Sequence, residues 1–105
     1  MAREQFQNLT EPMYYILMSL IKERCGVDIM EAVGEISNGR VRVGPGTLYA
    51  LLGKFEEENM IRETEVQGRK RSYIITDKGK EILIDEYKRL ITMVNDGLLH
   101  LEEKL

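Results

Sequence analysis

The chain has 105 residues, 43% hydrophobic and 31% charged, with a net charge of −3; it has room for one domain with one modest core, and its apolar share excludes a disordered polar chain. One cysteine, Cys25, and one histidine, His100, exclude an internal disulfide and a Cys/His zinc site, and no apolar run nears the roughly 20 residues that span a bilayer. With no signal-peptide core in its first dozen residues, the chain is expected to be soluble and cytoplasmic, with no membrane, metal or cofactor.

Residues 1–9 are polar and read as a loose arm or an extra helical turn. Thr10 is placed to cap a first helix over about 11–24, with Glu11 and Pro12 in its first turn. Met13, Ile16, Leu17, Leu20 and Ile21 recur at helical spacing, and Gly26 closes the helix. Asp28 is the candidate cap of a second, short helix, with Ile29, Ala32, Val33 and Ile36 inward and Asn38-Gly39 at its end. The connector Arg40-Val41-Arg42-Val43 suits an edge strand. Pro45 opens a third helix with Leu48, Leu51, Leu52 and Phe55 inward. Glu56, Glu57 and Glu58 at its C-terminal end oppose the helix dipole and call for a basic neighbour or open solvent. Asn59 suits the left-handed position that follows a helix. Residues 61–66 and 71–75 read as strands around the turn Gln67-Gly68-Arg69-Lys70. Thr76 caps a last helix running from 77 to near the end. Its apolar positions Leu83, Tyr87, Leu90, Val94, Leu98, Leu101 and Leu105 lie close to a heptad seam, weakened at Gly97.

Three helices, a hairpin and a long helix make a winged helix-turn-helix: mainly α with a small β-hairpin. Residues 1–76 are then a DNA-binding region and 77–105 a C-terminal dimerisation helix, in one compact domain. The third helix is the one that enters a major groove, and the hairpin is the wing beside it. The charge distribution agrees. Residues 40–55 hold Arg40, Arg42 and Lys54 with no acid, and 66–76 hold Arg69, Lys70 and Arg71 with no acid. The first group brackets or lies on the third helix, and the second forms the wing tip, so an acidic chain presents two basic windows where DNA would lie.

The run Val43-Gly44-Pro45-Gly46-Thr47-Leu48-Tyr49, with Leu51, Leu52 and Ile61 after it, resembles the core signature of the PadR family of transcriptional regulators. The later pattern Arg71-x-Tyr73-x-x-Thr76-x-x-Gly79 is similar to that family's wing and the start of its last helix. The resemblance covers roughly residues 10–98. Ala50 stands where the family often has Pro, Asn59 where it usually has Gly, and Phe55 where Leu is usual. The last helix has no Trp, the residue with which the family's multidrug-binding branch stacks planar ligands. The resemblance implies a repressor of the short, single-domain type, released by a small-molecule effector, with the first helix and N-terminal arm joining a dimer interface.

Pro45-Gly46-Thr47 presents free N–H groups and positive dipole to a phosphate; Gly46 admits close approach and Thr47 donates its hydroxyl. Tyr49 is either a donor to phosphate or a core tyrosine, and the resemblance favours the first. Lys54 is either a phosphate or base-edge contact or a solvated charge. Of Arg69, Lys70 and Arg71, at least one is expected to reach phosphate or the minor groove, and geometry is expected to keep all three from pointing one way. Tyr73 is expected to pack against the third helix. Leu83, Tyr87, Leu90, Val94, Leu98 and Leu101 form the expected homodimer seam, which would set two recognition helices about 34 Å apart on a palindromic site in double-stranded DNA. Tyr14, Tyr15, Met18 and Met93 either line an effector pocket between subunits or simply fill the core and the dimer contact. A winged-helix module that binds protein instead of DNA is the alternative. No Ser/His/Asp set, metal cluster or phosphate-binding glycine loop points to an enzyme.

Overall fold

The structure is a computed structural model that describes residues 8–104. Residues 1–7 of the arm expected at 1–9, and the seam residue Leu105, lie outside the described residues; Leu9 is buried in the core and not loose. The chain order is α1 (Glu11–Ser19), β1 (Arg24–Cys25), α2 (Gly26–Ile36), α3 (Pro45–Glu57), β2 (Ile61–Gln67), β3 (Lys70–Ile75) and α4 (Asp77–Leu101), then a 3-10 turn, Glu102–Lys104. The strands form an antiparallel sheet in the order β1-β3-β2. The winged helix-turn-helix is therefore present, with a third strand that the sequence did not announce.

α1 starts as expected. The Thr10 hydroxyl accepts from the Met13 N–H at 3.4 Å, and the Thr10 N–H donates back to the Met13 sulfur, where a capping box usually has Glu or Gln. The helix stops five residues early. The Ile75 N–H takes the Leu20 carbonyl at 2.8 Å, and Arg24 Nε takes the Ser19 carbonyl at 2.7 Å. Ile21, read as an inner position, is exposed. The freed residues Arg24 and Cys25 pair with Tyr73 and Ser72 as β1. Gly26 therefore opens α2 and does not close α1. Cys25 holds the N-cap position without a side-chain cap bond, and Asp28 lies inside the first turn, where its charge still suits the dipole.

α2 and α3 end alike. Asn38 (φ 54°) and Asn59 (φ 59°) adopt the left-handed conformation. Gly39 N–H bonds the Gly34 carbonyl, and Met60 N–H bonds the Phe55 carbonyl, which is the Schellman pattern. The acidic end of α3 gets its basic neighbour: Lys78 Nζ donates to the Glu58 carbonyl at 2.6 Å. Between α2 and α3, Val41 and Val43 are buried while Arg40 and Arg42 are exposed. The alternation is real, but this segment pairs with no strand; the Ser37 hydroxyl instead accepts the Val41 N–H at 3.0 Å.

The core joins Ile16, Leu17 and Leu20 of α1 and its end to Ile29 and Val33 of α2. Leu48, Leu52 and Phe55 of α3, Met60, Ile61, Tyr73 and Ile75 of the sheet region, and Ile82 and Leu83 of α4 complete it. Thr76 caps α4 by accepting the Gly79 N–H at 3.0 Å. α4 has 25 residues, about 37 Å of helix. Its fully buried residues end at Glu86 and Leu90 is still half-buried, while residues 91–96 are exposed.

Candidate nucleic-acid interface

The outward side of α3 carries Gly46, Thr47, Tyr49, Ala50 and Lys54, all exposed. Gly46 and Gly53 have open space where a Cβ would stand, so no packing inside the chain requires them there. Tyr49 leans across to the start of α2. A Cβ on Gly26 would come within 2.2 Å of its hydroxyl, so a side chain at 26 and this Tyr49 rotamer exclude each other.

The wing closes in on the same place. Gly68 (φ 61°) and Arg69 form a two-residue turn, and Lys70 already belongs to β3, paired with Gln67. Cys25, Gly26, Val27, Asp28, Tyr49, Arg69, Lys70 and Arg71 line one groove of about 480 Å³. All three wing cations border it. Arg71 is the restrained one: its Nε lies 3.5 Å from Glu63 Oε2. A bulge between Glu63 and Glu65 interrupts the β2–β3 register. It lets the Thr64 hydroxyl donate to Glu23, tying the wing to the α1–β1 loop. Tyr73 is buried in the core, and burial raises its phenol above the usual tyrosine range, with the carboxylate of Glu56 on α3 adding to the effect.

Two basic residues sit elsewhere. Arg40 Nη1 donates to Glu11 Oε2 at 2.8 Å and Nη2 to the Tyr15 hydroxyl at 3.0 Å, with the guanidinium carbon 5.9 Å from the Tyr15 ring centre. The hydrogen bond to Glu11, then that to Tyr15, holds it protonated more firmly than an ordinary arginine. Arg42 runs back beside Gly39 and lines an open depression with Glu31 and Glu35 of α2. The first basic window is thus split: Lys54 lies on α3, while Arg40 and Arg42 face other neighbours.

The outward row of α4 differs from the expected seam. Leu83, expected to face a partner, is 7% exposed and belongs to its own core, and Leu90 is half-buried against α1. The exposed row is Ile84, Tyr87, Ile91, Val94, Leu98 and Leu101, from 41% to 69% exposed. These positions step by three and four in strict alternation. Ile84 and Ile91 are exposed where the expected row had Leu83 and Leu90, because neighbouring positions fit a similar spacing.

Of the four residues expected at an effector pocket, Tyr14 and Tyr15 line a groove of about 290 Å³ between α1 and α4, with Leu9, Thr10, Glu11, Glu86 and Leu90. Met18 packs on the core, and Met93 is exposed beside Arg89, so neither borders this groove. Glu86, 1% exposed, accepts the Leu9 N–H at 3.1 Å and pairs with Arg89 at 2.7 Å. Burial raises the Tyr14 phenol above the ordinary tyrosine range, helped by Tyr15, Tyr87 and Glu86. Among the described residues no cluster of His, Cys, Asp or Glu could hold a metal, and no helix is long and apolar enough to cross a membrane.

A third helix whose outward side is free of acid up to Glu56 and carries Lys54, flanked by a cationic wing and followed by a long helix, defines a winged-helix transcription regulator. Residues 15–85 match the model of the transcriptional regulator PadR-like family, and the chain belongs to that family. Its members are transcriptional regulators and not enzymes. A PadR-like transcription factor from Bacteroides fragilis is 25% identical, with a TM-score of 0.65 over 84% of this chain and 86% of that one. A transcriptional regulator from Clostridium thermocellum reaches 0.73 at 16% identity, over 88% and 95% of the two chains. RosR of H. salinarum reaches 0.65 at 23% identity, over 90% and 98%. The last two likenesses speak for the fold alone. An uncharacterized 37.1 kDa protein in transposon Tn4556 of Streptomyces fradiae is 36% identical over 58 residues, 55% of this chain. The chain spans only 16% of that relative's length.

Proposed function

We propose that two copies of this chain pair along α4 and bind double-stranded DNA at a palindromic operator as a repressor, with release by a small molecule. The observation that carries DNA binding is the groove at the wing: Tyr49 of α3, the first turn of α2 and Arg69, Lys70 and Arg71 converge on it, with Asp28 its only acid. Cations and helix N–H groups on one concave surface suit phosphates. Gly46, Ala50 and Gly53 on the outward side of α3 let a base edge or backbone come close. A protein-binding module is disfavoured, because no acid interrupts that side of α3 before Glu56 and Tyr49 is its one large exposed ring among the described residues.

Pairing is supported by the exposed α4 row, whose heptad spacing suits a second α4. The release step is supported by the groove at Tyr14 and Tyr15, which is small, semi-polar and next to the pairing helix.

The test is fluorescence anisotropy on the duplex upstream of the gene and on duplexes selected from random sequence, with nonspecific competitor, over a salt series. Nanomolar binding that survives competitor, with a steep salt slope, is expected. Lys70→Ala should weaken it and flatten the slope by about one for each phosphate that the side chain neutralised. Binding that competitor abolishes in both duplex sets would overturn this reading.

A further inference from the structure

The approach to α3 is a short segment, 41–44, with no helix or strand of its own. Inside the chain it is fixed by the burial of Val41 and Val43 and by the Ser37 hydroxyl, which accepts from the Val41 N–H and lies 3.3 Å from the Val41 carbonyl. On the outside the side chain of Arg40, just before this segment, reaches to α1. It meets Glu11 and Tyr15, which lie four residues apart on one side of that helix, at 2.8 and 3.0 Å. α1 is itself anchored: the Leu20 carbonyl accepts from β3, and the Leu9 N–H just before the helix is held by Glu86 of α4.

An exposed ion pair adds little to global stability, because water screens it and both side chains lose freedom. What two bonds from one rigid guanidinium fork do supply is a fixed direction. A lysine could make either bond but would not hold both in one plane. The fork is engaged on α1, and Arg40 is not among the residues that border the groove at Tyr49.

We propose that Arg40 is a positioning residue for DNA recognition and not a DNA contact: through Glu11 and Tyr15 it sets the angle at which α3 leaves α2. This rests on the DNA-binding reading above. The two roles predict opposite behaviour. If Arg40 contacts phosphate, Glu11 competes for it, and removing the Glu11 charge frees Arg40 and tightens binding. If Arg40 positions α3, removing Glu11 weakens binding as removing Arg40 does.

The experiment uses the full chain and a fluorescein-labelled duplex selected by the wild type from random sequence, titrated across salt concentrations. The variants are Arg40→Gln, Arg40→Lys, Glu11→Gln and the double Arg40→Gln/Glu11→Gln. All three single changes are expected to weaken binding about three- to tenfold, with the salt slope unchanged, and the double to be no weaker than the worse single. Amide hydrogen exchange of the free protein at residues 41–48 should rise in each variant while the melting temperature barely moves. A flatter slope in Arg40→Gln together with tighter binding in Glu11→Gln would overturn the proposal, as would unchanged affinity in all variants. If the wild type selects no duplex, the DNA reading falls. The exchange data then judge the clamp alone, and unchanged exchange at 41–48 would sink it.

Discussion

A methyl group added at Gly26 and one added at Gly79 meet different obstacles. At Gly79 the new carbon would stand 2.1 Å from the Met60 carbonyl oxygen and 2.7 Å from Ile75, so the start of α4 must shift away from the end of α3. Gly79→Ala is expected to lower stability by roughly 1–3 kcal/mol in urea denaturation, and an unchanged midpoint would refute that packing. At Gly26 the obstacle is the Tyr49 hydroxyl, the far end of a half-exposed side chain that can swing into solvent. Gly26→Ala should cost less than about 1 kcal/mol of stability yet weaken DNA binding, because Tyr49 leaves the groove. Equal binding by Gly26→Ala and wild type would remove Tyr49 from the interface. Tyr14 and Tyr73 add a pH signature. Burial raises both phenols, so the fold favours their neutral forms. That contribution is fully present below the unfolded value near 10 and is lost as pH rises through the higher folded values. The melting temperature should therefore fall above about pH 10, and less steeply in Tyr14→Phe; identical alkaline profiles would contradict it.

The elements show which features are local. α2 and α3 both end on an Asn in the left-handed conformation, and such an end depends on a few adjacent residues. Asn59→Gly should raise stability by roughly 0.5–1 kcal/mol, and Asn59→Ala should lower it by about 1 kcal/mol, because alanine tolerates that φ poorly. A melting series in which Ala and Gly behave alike would contradict the Schellman end. For the same reason of locality, α3, the hairpin and the start of α4 were legible in the sequence. The end of α1 was not, because it is decided by hydrogen bonds from Ile75, 55 positions away, and from the Arg24 side chain. Gly26 misled in the same way: its partner is the ring of Tyr49 in another helix, so it imitated a helix stop. The candidate interface was legible in its residue types, since Tyr49, Lys54 and the wing cations carry both the pattern and the charge. Charge windows along a chain do not reveal which cation is already taken, and Arg40 is held by a carboxylate 29 positions earlier.

At the scale of the whole molecule, α4 is where the fold outgrows its own core. Leu83 and Glu86 are buried, yet Ile84, Tyr87 and Ile91 between and beyond them are exposed, so one helix serves an inner face and an outer one. The inner face is set by α1 and the sheet, and the outer row is the one proposed above to meet a second copy. Burying each such apolar side chain is worth on the order of 1 kcal/mol from its half-exposed state. A charge in the middle of the row would be buried twice in a symmetric pair, once from each copy, without a partner. Ile91→Asp should therefore give a folded monomer by sedimentation, with a circular dichroism spectrum like the wild type over the winged region. Leu83→Asp, striking the chain's own core, should unfold it. Because DNA binding by two half-sites needs both recognition helices, Ile91→Asp should also lose most of its affinity and roughly half its salt slope. If Ile91→Asp stays dimeric while Leu83→Asp folds as a monomer, the pairing row is the one first read from the heptad spacing, and α4 must rotate relative to its own domain when two copies meet.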